Sequence, residues 1–371
     1  MKAIIEFVKK ETVLSIAWIL AFVSMLFVTP SVEYLEYIDC RSLGILWSLM
    51  IIMAGLQDIC FFEKVGQKLL KRAHNALELS LILIMLCFFG SMFITNDVAL
   101  ITFVPFTMFM LKSCDRLDLL IPVVTFQTLA ANLGSMLTPI GNPQNLYLFN
   151  LSKLSLTNFI LLMLPYSIVT LIMLIISAML LPRKTEALAC TMTITSSRLS
   201  RRKLIVYVAL FLLSLLAVGG KIQWYVLAVI VFLVLLIMEK SILASIDYAL
   251  LFTFVGFFIF TGNIGKIPAI GKLLSDVISG HEMITGILAS QFISNVPAAL
   301  LLSGFTDSFE KLIVGVNLGG LGTLIASMAS LISFKLLAHS YNEKKGKYFG
   351  FFTVMNIIYL VVLLIVALMI Q

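Results

Sequence analysis

Nine apolar runs, each close to the length that crosses a bilayer, fill most of this chain. A transmembrane helix needs about 20 apolar residues, within roughly 17–25. The runs cover 11–29, 42–57, 120–149, 159–181, 203–219, 222–238, 246–262, 312–338 and 350–370. In lipid the backbone has to satisfy its own hydrogen bonds, so such runs are helices. Two further apolar stretches, 75–111 and 281–306, are interrupted near their centres by asparagine. Each reads as a helical hairpin that enters the membrane and returns on the same side. Only 12% of the 371 residues are charged and 61% are hydrophobic, against about 25% charged in a water-soluble domain. The expectation is an all-α polytopic membrane protein.

Charge gives the orientation. With the N-terminus inside, segments 1–10, 58–74, 112–118, 182–203, 239–245 and 335–349 hold 20 of the 26 Lys and Arg residues. Cytoplasmic loops concentrate Lys and Arg, so the N-terminus is expected in the cytoplasm of a plasma-membrane protein and the C-terminus outside. If either hairpin were a simple span, every later loop would flip and the bias would largely collapse. The run after Lys9 and Lys10 lacks a small-residue cleavage motif and reads as a retained first helix. The net charge of +7 sits at helix ends rather than on one patch, so nucleic acid is not an expected partner. The five cysteines show no paired spacing and read as reduced thiols. His74, His281 and His339 lie in connecting segments, which argues against a histidine metal site.

One passage is written twice. Phe93-Ile94-Thr95-Asn96-Asp97-Val98-Ala99-Leu100 is matched by Phe292-Ile293-Ser294-Asn295-Val296-Pro297-Ala298-Ala299-Leu300. Each copy precedes a second shared signature, Asn132-Leu133-Gly134 and Asn317-Leu318-Gly319, that opens a stretch rich in small polar residues. With the charge count, the first copy enters from inside and the second from outside. The chain therefore divides into an N-terminal helix and outside loop (1–41), a first inverted repeat (42–181), a cytoplasmic linker (182–202), two extra scaffold helices (203–245) and a second inverted repeat (246–371). The first repeat holds hairpin 75–111 and an unwound helix at 120–149, the second hairpin 281–306 and an unwound helix at 312–338. Segments 58–74 and 263–280 read as interfacial helices.

Polar, helix-breaking residues in corresponding positions of two halves point to a transporter's binding site. Packing through small residues is the alternative, but two different clusters, each duplicated at matching places, favour binding. Half-helix N-termini carry free N–H groups and about half a positive charge, so several together can hold an anion without Lys or Arg. None occurs within 75–111, 120–149 or 312–334. The candidate solute and ion ligands are Thr95, Asn96, Asp97, Asn132, Gly134, Ser135, Thr138, Gly141, Asn142 and Asn145 in the first half. In the second they are Ser294, Asn295, Pro297, Asn317, Gly319, Gly320, Thr323 and Ser327. Na⁺ is assigned to Thr95, Asn96, Ser135 and Asn142, and no other cofactor is expected. Asp97 is the one acid placed deep in the membrane, where ionisable groups mark function. Three roles are open to it: cation ligand, proton carrier, or N-cap of the returning arm.

These residues resemble those of the ion transporter superfamily, which includes citrate and divalent-anion/sodium symporters, arsenite permeases and related sodium/proton antiporters. The resemblance runs over most of the chain. In dicarboxylate symporters both tips read Ser-Asn-Thr; here they read Thr95-Asn96-Asp97 and Ser294-Asn295-Val296, closer to the arsenite-permease and antiporter branch. Thr138-Pro139-Ile140-Gly141-Asn142-Pro143-Gln144-Asn145 is similar to the family's Gly- and Pro-rich loop, whereas Thr323 to Ser330 lacks the final Asn and Pro. That implies one well-formed cation site and one degraded one. The resemblance also implies a homodimer with a static scaffold and a moving transport domain. The expected function is secondary active transport of a small citrate-like carboxylate or inorganic oxyanion, coupled to Na⁺ or H⁺, by alternating access. The alternatives are a sodium/proton antiporter or arsenite efflux permease and, from another class, a channel or membrane sensor. No nucleotide loop, metal-ligand spacing or nucleophile–histidine pairing suggests an enzyme.

Overall fold

The computed structural model describes residues 11–70, 73–181 and 200–370. Residues 1–10 and nearly all of the linker expected at 182–202 lie outside them. All regular structure among the described residues is helical. Apart from one turn at Tyr34–Tyr37, the α-helices are α1 (Thr12–Met25), α2 (Cys40–Asp58), α3 (Phe61–Leu70), α4 (Ala76–Ser91), α5 (Asn96–Ser113) and α6 (Leu120–Gly134). Then come α7 (Pro143–Ser152), α8 (Leu156–Met179), α9 (Arg201–Val218), α10 (Trp224–Met238), α11 (Tyr248–Gly265) and α12 (Pro268–Ile278). The last five are α13 (Glu282–Ile293), α14 (Asn295–Leu302), α15 (Phe309–Leu318), α16 (Met328–Ser340) and α17 (Lys345–Ile370).

Ordinary caps start many of these helices. Asp39 accepts from Ser42 N at 3.0 Å, Asn75 from Glu78 N at 2.9 Å, Ser155 from Asn158 N at 3.1 Å and Asp247 from Leu250 N at 3.1 Å. Each satisfies one of the orphan donors of a helix N-terminus. Among the described residues, five helical segments are long and apolar enough to cross a membrane: Cys40–Asp58, Leu117–Leu137, Leu156–Met179, Tyr248–Gly265 and Asn342–Ile370. Other expected crossings are shorter as helices: α1 has 14 residues and α10 has 15, rising about 21–23 Å at 1.5 Å per residue. The runs at 120–149 and 312–338 are each broken in two. A 3₁₀ turn and loop separate α6 from α7, and nine non-helical residues separate α15 from α16. Short helices α3 and α12 occupy the segments read as interfacial.

Close backbone approach fixes the site's supports. A Cβ at Gly134 of α6 would overlap the Phe88 carbonyl of α4, and one at Gly315 of α15 would overlap the Met283 backbone of α13. In each half, the first arm of the interrupted stretch is thus seated on the broken helix. The expectation that all cysteines are reduced fails at Cys114, which is disulfide-bonded, while Cys40, Cys60 and Cys87 are free thiols. Spacing along the chain carries no information about which thiols meet in space.

Candidate functional site

Four helices begin at one place. A small cavity is lined by the first residues of each: Asn96 and Asp97 of α5, Pro143 and Gln144 of α7, Asn295 and Val296 of α14, and Ser327 with Met328 of α16. Leu250 of α11 closes it. Its free space is about 10 Å³, roughly one water. The residues before the four helices are Thr95, Asn142, Ser294 and Ser327, all types that cap well, yet none makes a side-chain cap bond. The four helix starts are gathered at the cavity, with Asn96 N bonded to Gly141 O, Asp97 N to Asn96 Oδ1 and Asn295 N to Ala326 O. Each such end carries about half a positive charge.

The uncapped side chains reach across instead. Ser327 Oγ donates to Asn132 Oδ1 at 2.9 Å, and Asn142 Nδ2 to Asn317 Oδ1 at 3.5 Å. Asn132 Nδ2 donates to Ser330 Oγ at 3.2 Å, and Asn317 Nδ2 to Asn145 Oδ1 at 2.7 Å. Asn142 and Ser327 share an extended backbone, with φ −140° in both. The interrupted stretches bind the unwound ones through the main chain: Asn96 N donates to Gly141 O at 3.2 Å and Asn295 N to Ala326 O at 2.9 Å. Ser294 sits at φ +73° and ψ 154°, a region that is nearly glycine-only and persists only where the surroundings enforce it.

Most of the sequence-derived candidates fall in this cluster. Asn96 Nδ2 donates to Asn132 Oδ1 at 3.2 Å, and Ser135 Oγ to Asn132 O at 2.9 Å. Asn142 belongs to the other group, with Asn317, and Thr95 makes no side-chain cap bond; hydrogen bonds therefore join Asn96 and Ser135 but not the whole expected Na⁺ set. Thr138 anchors to Met92 O at 2.5 Å. Gly134 and Gly319 serve helix contact, Gly319 against Ser290, while Gly320 lies beside the Asn295 amide. Pro297 is buried in the first turn of α14. Thr323 is exposed and turned to Gln291, donating to its carbonyl at 3.2 Å. Asp97 is not the N-cap: Thr95 holds that position, and Asp97 Oδ1 is enclosed with no partner.

Three polar residues were missed. Ser330 joins Asn132, and Gln291 Nε2 donates to Gly319 O and Leu321 O at 2.9 Å each. Gln144 is 1% exposed, lines the cavity, and has neither amide atom bonded. Its place between Pro143 and Asn145 was the available signal. Among the described residues no cluster of His, Cys, Asp or Glu suits a metal.

Long apolar helices around a cavity built from four helix ends define a multi-pass membrane transporter. The chain matches the model of the citrate transporter family over residues 3–309 and belongs to that family. It is 32% identical over 333 residues to an uncharacterized transporter of Methanocaldococcus jannaschii, covering 89% of this chain and 90% of that one. It is 31% identical to the inner membrane protein YbiR of Escherichia coli K12, over 81% of this chain and 80% of YbiR. A silicon efflux transporter of Oryza sativa is 30% identical over 34% of this chain and 26% of its own.

Proposed function

We propose that this protein is a secondary active transporter that moves a small anion, a carboxylate or an inorganic oxyanion, by alternating access coupled to Na⁺ or H⁺. The observation that carries the reading is the ring of four uncapped helix N-termini around one cavity. Such ends attract negative charge without a basic side chain. The pairing of Asn132 and Asn317 with partners at equal offsets in the opposite stretch supports an inverted repeat. The charge distribution supports a cytoplasmic N-terminus with the two hairpins re-entering from opposite faces, and the family resemblance supports a homodimer. Purified protein in proteoliposomes, offered labelled anions under imposed Na⁺ or H⁺ gradients, is expected to accumulate at least one of them. Absence of gradient-dependent uptake across the panel overturns the reading.

A second reading is cation/proton antiport, favoured by Asp97 with its unbonded Oδ1 in a cavity that lacks basic residues. On that reading Asp97→Asn abolishes pH-dependent exchange.

A further inference from the structure

The two halves seat their tips alike and differ in one side chain. Thr138 Oγ1 donates to Met92 O at 2.5 Å, and Thr323 Oγ1 to Gln291 O at 3.2 Å. Both threonines stand six residues beyond the asparagine that opens their stretch, and Met92 and Gln291 each stand four before the tip asparagine. The thioether of Met92 has no proton to donate. Gln291 is turned into the second unwound stretch. Its Nε2 faces Gly319 O and Leu321 O at 2.9 Å each and Ile287 O at 3.2 Å, while Oε1 accepts from Thr323 N at 3.0 Å. Gly322, at φ +102°, leaves no room for a Cβ beside that oxygen, so the stretch wraps closely round the amide.

Three carbonyls converge on one nitrogen, and an amide has only two N–H groups to serve them. Carbonyls freed where a membrane helix unwinds are the ligand type that coordinates Na⁺. Here the amide meets them instead, and spares them the cost of burial without a partner. The first half shows the reverse. Position 92 offers no donor, and Asp97 Oδ1, Asn142 Oδ1 and Gln144 Oε1 are buried oxygens without a partner. All three belong to the first interrupted and unwound stretches.

We infer that the Gln291 amide is a built-in stand-in for a cation. It occupies the carbonyl cluster of Ile287, Gly319 and Leu321, so the second half holds its shape without a bound ion. A coupling cation is then left to the first half, which carries Met92 at the matching place. This goes beyond the transporter reading above and rests on it only for the cation's part in coupling.

The test uses the full-length protein purified in detergent, melted in sodium or choline chloride at equal ionic strength. Gln291→Ala removes the amide and leaves its space open, whereas Gln291→Met fills that space without a donor, as in the first half. Both are expected to melt several degrees below wild type in choline. Against wild type in the same salt, Na⁺ is expected to restore at least half of the loss in Gln291→Ala, saturably, as binding to the folded state requires. It is expected to restore little in Gln291→Met. An equal deficit of Gln291→Ala in both salts overturns the inference and leaves Gln291 a residue that only fixes the loop. Equal rescue of both variants places the Na⁺ elsewhere and overturns it as well. Wild type supplies a measurement that stands if the alanine variant fails to fold: backbone hydrogen exchange over 319–326 is expected to be the same in Na⁺ and in choline. Protection there that rises with Na⁺ means an ion already binds beside the amide, and overturns the inference. Neither readout measures transport, so proteoliposomes that take up no anion overturn the transporter reading alone.

Discussion

Asn317 donates through Nδ2 to Asn145 Oδ1 at 2.7 Å, and the bond has a counterpart in Asn132 Nδ2 to Ser330 Oγ at 3.2 Å. In both cases the acceptor stands thirteen residues beyond the asparagine that opens its own stretch. A second crossing pair involves the N-caps Asn142 and Ser327, each ten residues beyond the same asparagines. The two unwound stretches are thus bolted to one another. Two of the four N-cap side chains, Asn142 and Ser327, are spent on these bonds rather than on capping α7 and α16.

Removing one bolt strands its partners. Asn132 Oδ1 accepts from Asn96 and Ser327 while its amide donates to Ser330. Asn132→Ala leaves two buried donors and one buried hydroxyl without their partner, at about 1–3 kcal/mol for each unsatisfied group. Asn317→Ala strands Asn145 Oδ1 and Asn142 Nδ2. Both variants are expected to melt several degrees below wild type in detergent, Asn132→Ala lower, and both to lose transport in proteoliposomes. Equal melting temperatures for wild type and Asn132→Ala would remove the network from any structural role.

Much of this was legible in the sequence because lipid narrows the options. Apolar length gives helices, and Asn132 or Asn317 inside an apolar run marks where the helix stops. The order of the doubled motifs points to residues that the structure gathers around one cavity. What stayed hidden was partnership. Nothing local links Asn132 to Ser327 or Ser330, which lie in the other half; Ser327 reads as a candidate ligand and Ser330 only as the end of the second unwound stretch. Gln144 gave only weak signal, since its meaning comes from two amide atoms that find no bond after folding. Of the three roles open to Asp97, that of N-cap belongs instead to Thr95, two positions earlier, where the chain turns before α5 begins.

Glycine at position 134 is a requirement of contact. A Cβ there would overlap the Phe88 carbonyl, a backbone atom that cannot swing aside, whereas Gly346 has nothing within 4 Å. Gly134→Ala is expected to destabilise by about 1–3 kcal/mol or more through overpacking. Gly346→Ala, in the helical start of α17, is expected to be neutral or slightly stabilising. Thermal melts of the two purified variants decide it. A Gly134→Ala variant as stable as Gly346→Ala would mean α4 and α6 sit further apart than described.

Lys266 bonds Glu33 and lies over the Tyr37 ring, tying the end of α11 to the segment that follows α1. The hydrogen bond and charge of Lys266 hold the Glu33 carboxyl below its ordinary value. A carboxyl lowered in the folded state stabilises above its unfolded pKa of about 4.3 and loses that contribution as pH falls through its folded value. Wild type is therefore expected to melt above Glu33→Gln at pH 7, with the gap narrowing as the pH falls below about 4.3. The gap shrinks in 1 M salt, since both groups are exposed and screened. A gap that persists unchanged at pH 3 would assign the difference to packing rather than charge.

Two further glycines of α2 seat aromatic rings, with different consequences. Gly55 receives the Tyr207 ring of α9, and Gly44 the Trp224 ring at the start of α10; a Cβ at either position would overlap the ring. Tyr207 is fully buried, while Trp224 is partly exposed beside an apolar groove shared with Trp47 and Phe252. The Trp224 ring can shift outward and Tyr207 has no free direction. Gly55→Ala is expected to cost about 1–3 kcal/mol, and Gly44→Ala less than half as much. If the Tyr207 ring is the cause, Tyr207→Leu relieves it: the Gly55→Ala/Tyr207→Leu double variant melts higher than the sum of the two single losses predicts, because residues in contact do not add. Strict additivity in that cycle would mean the α2–α9 contact does not depend on this ring.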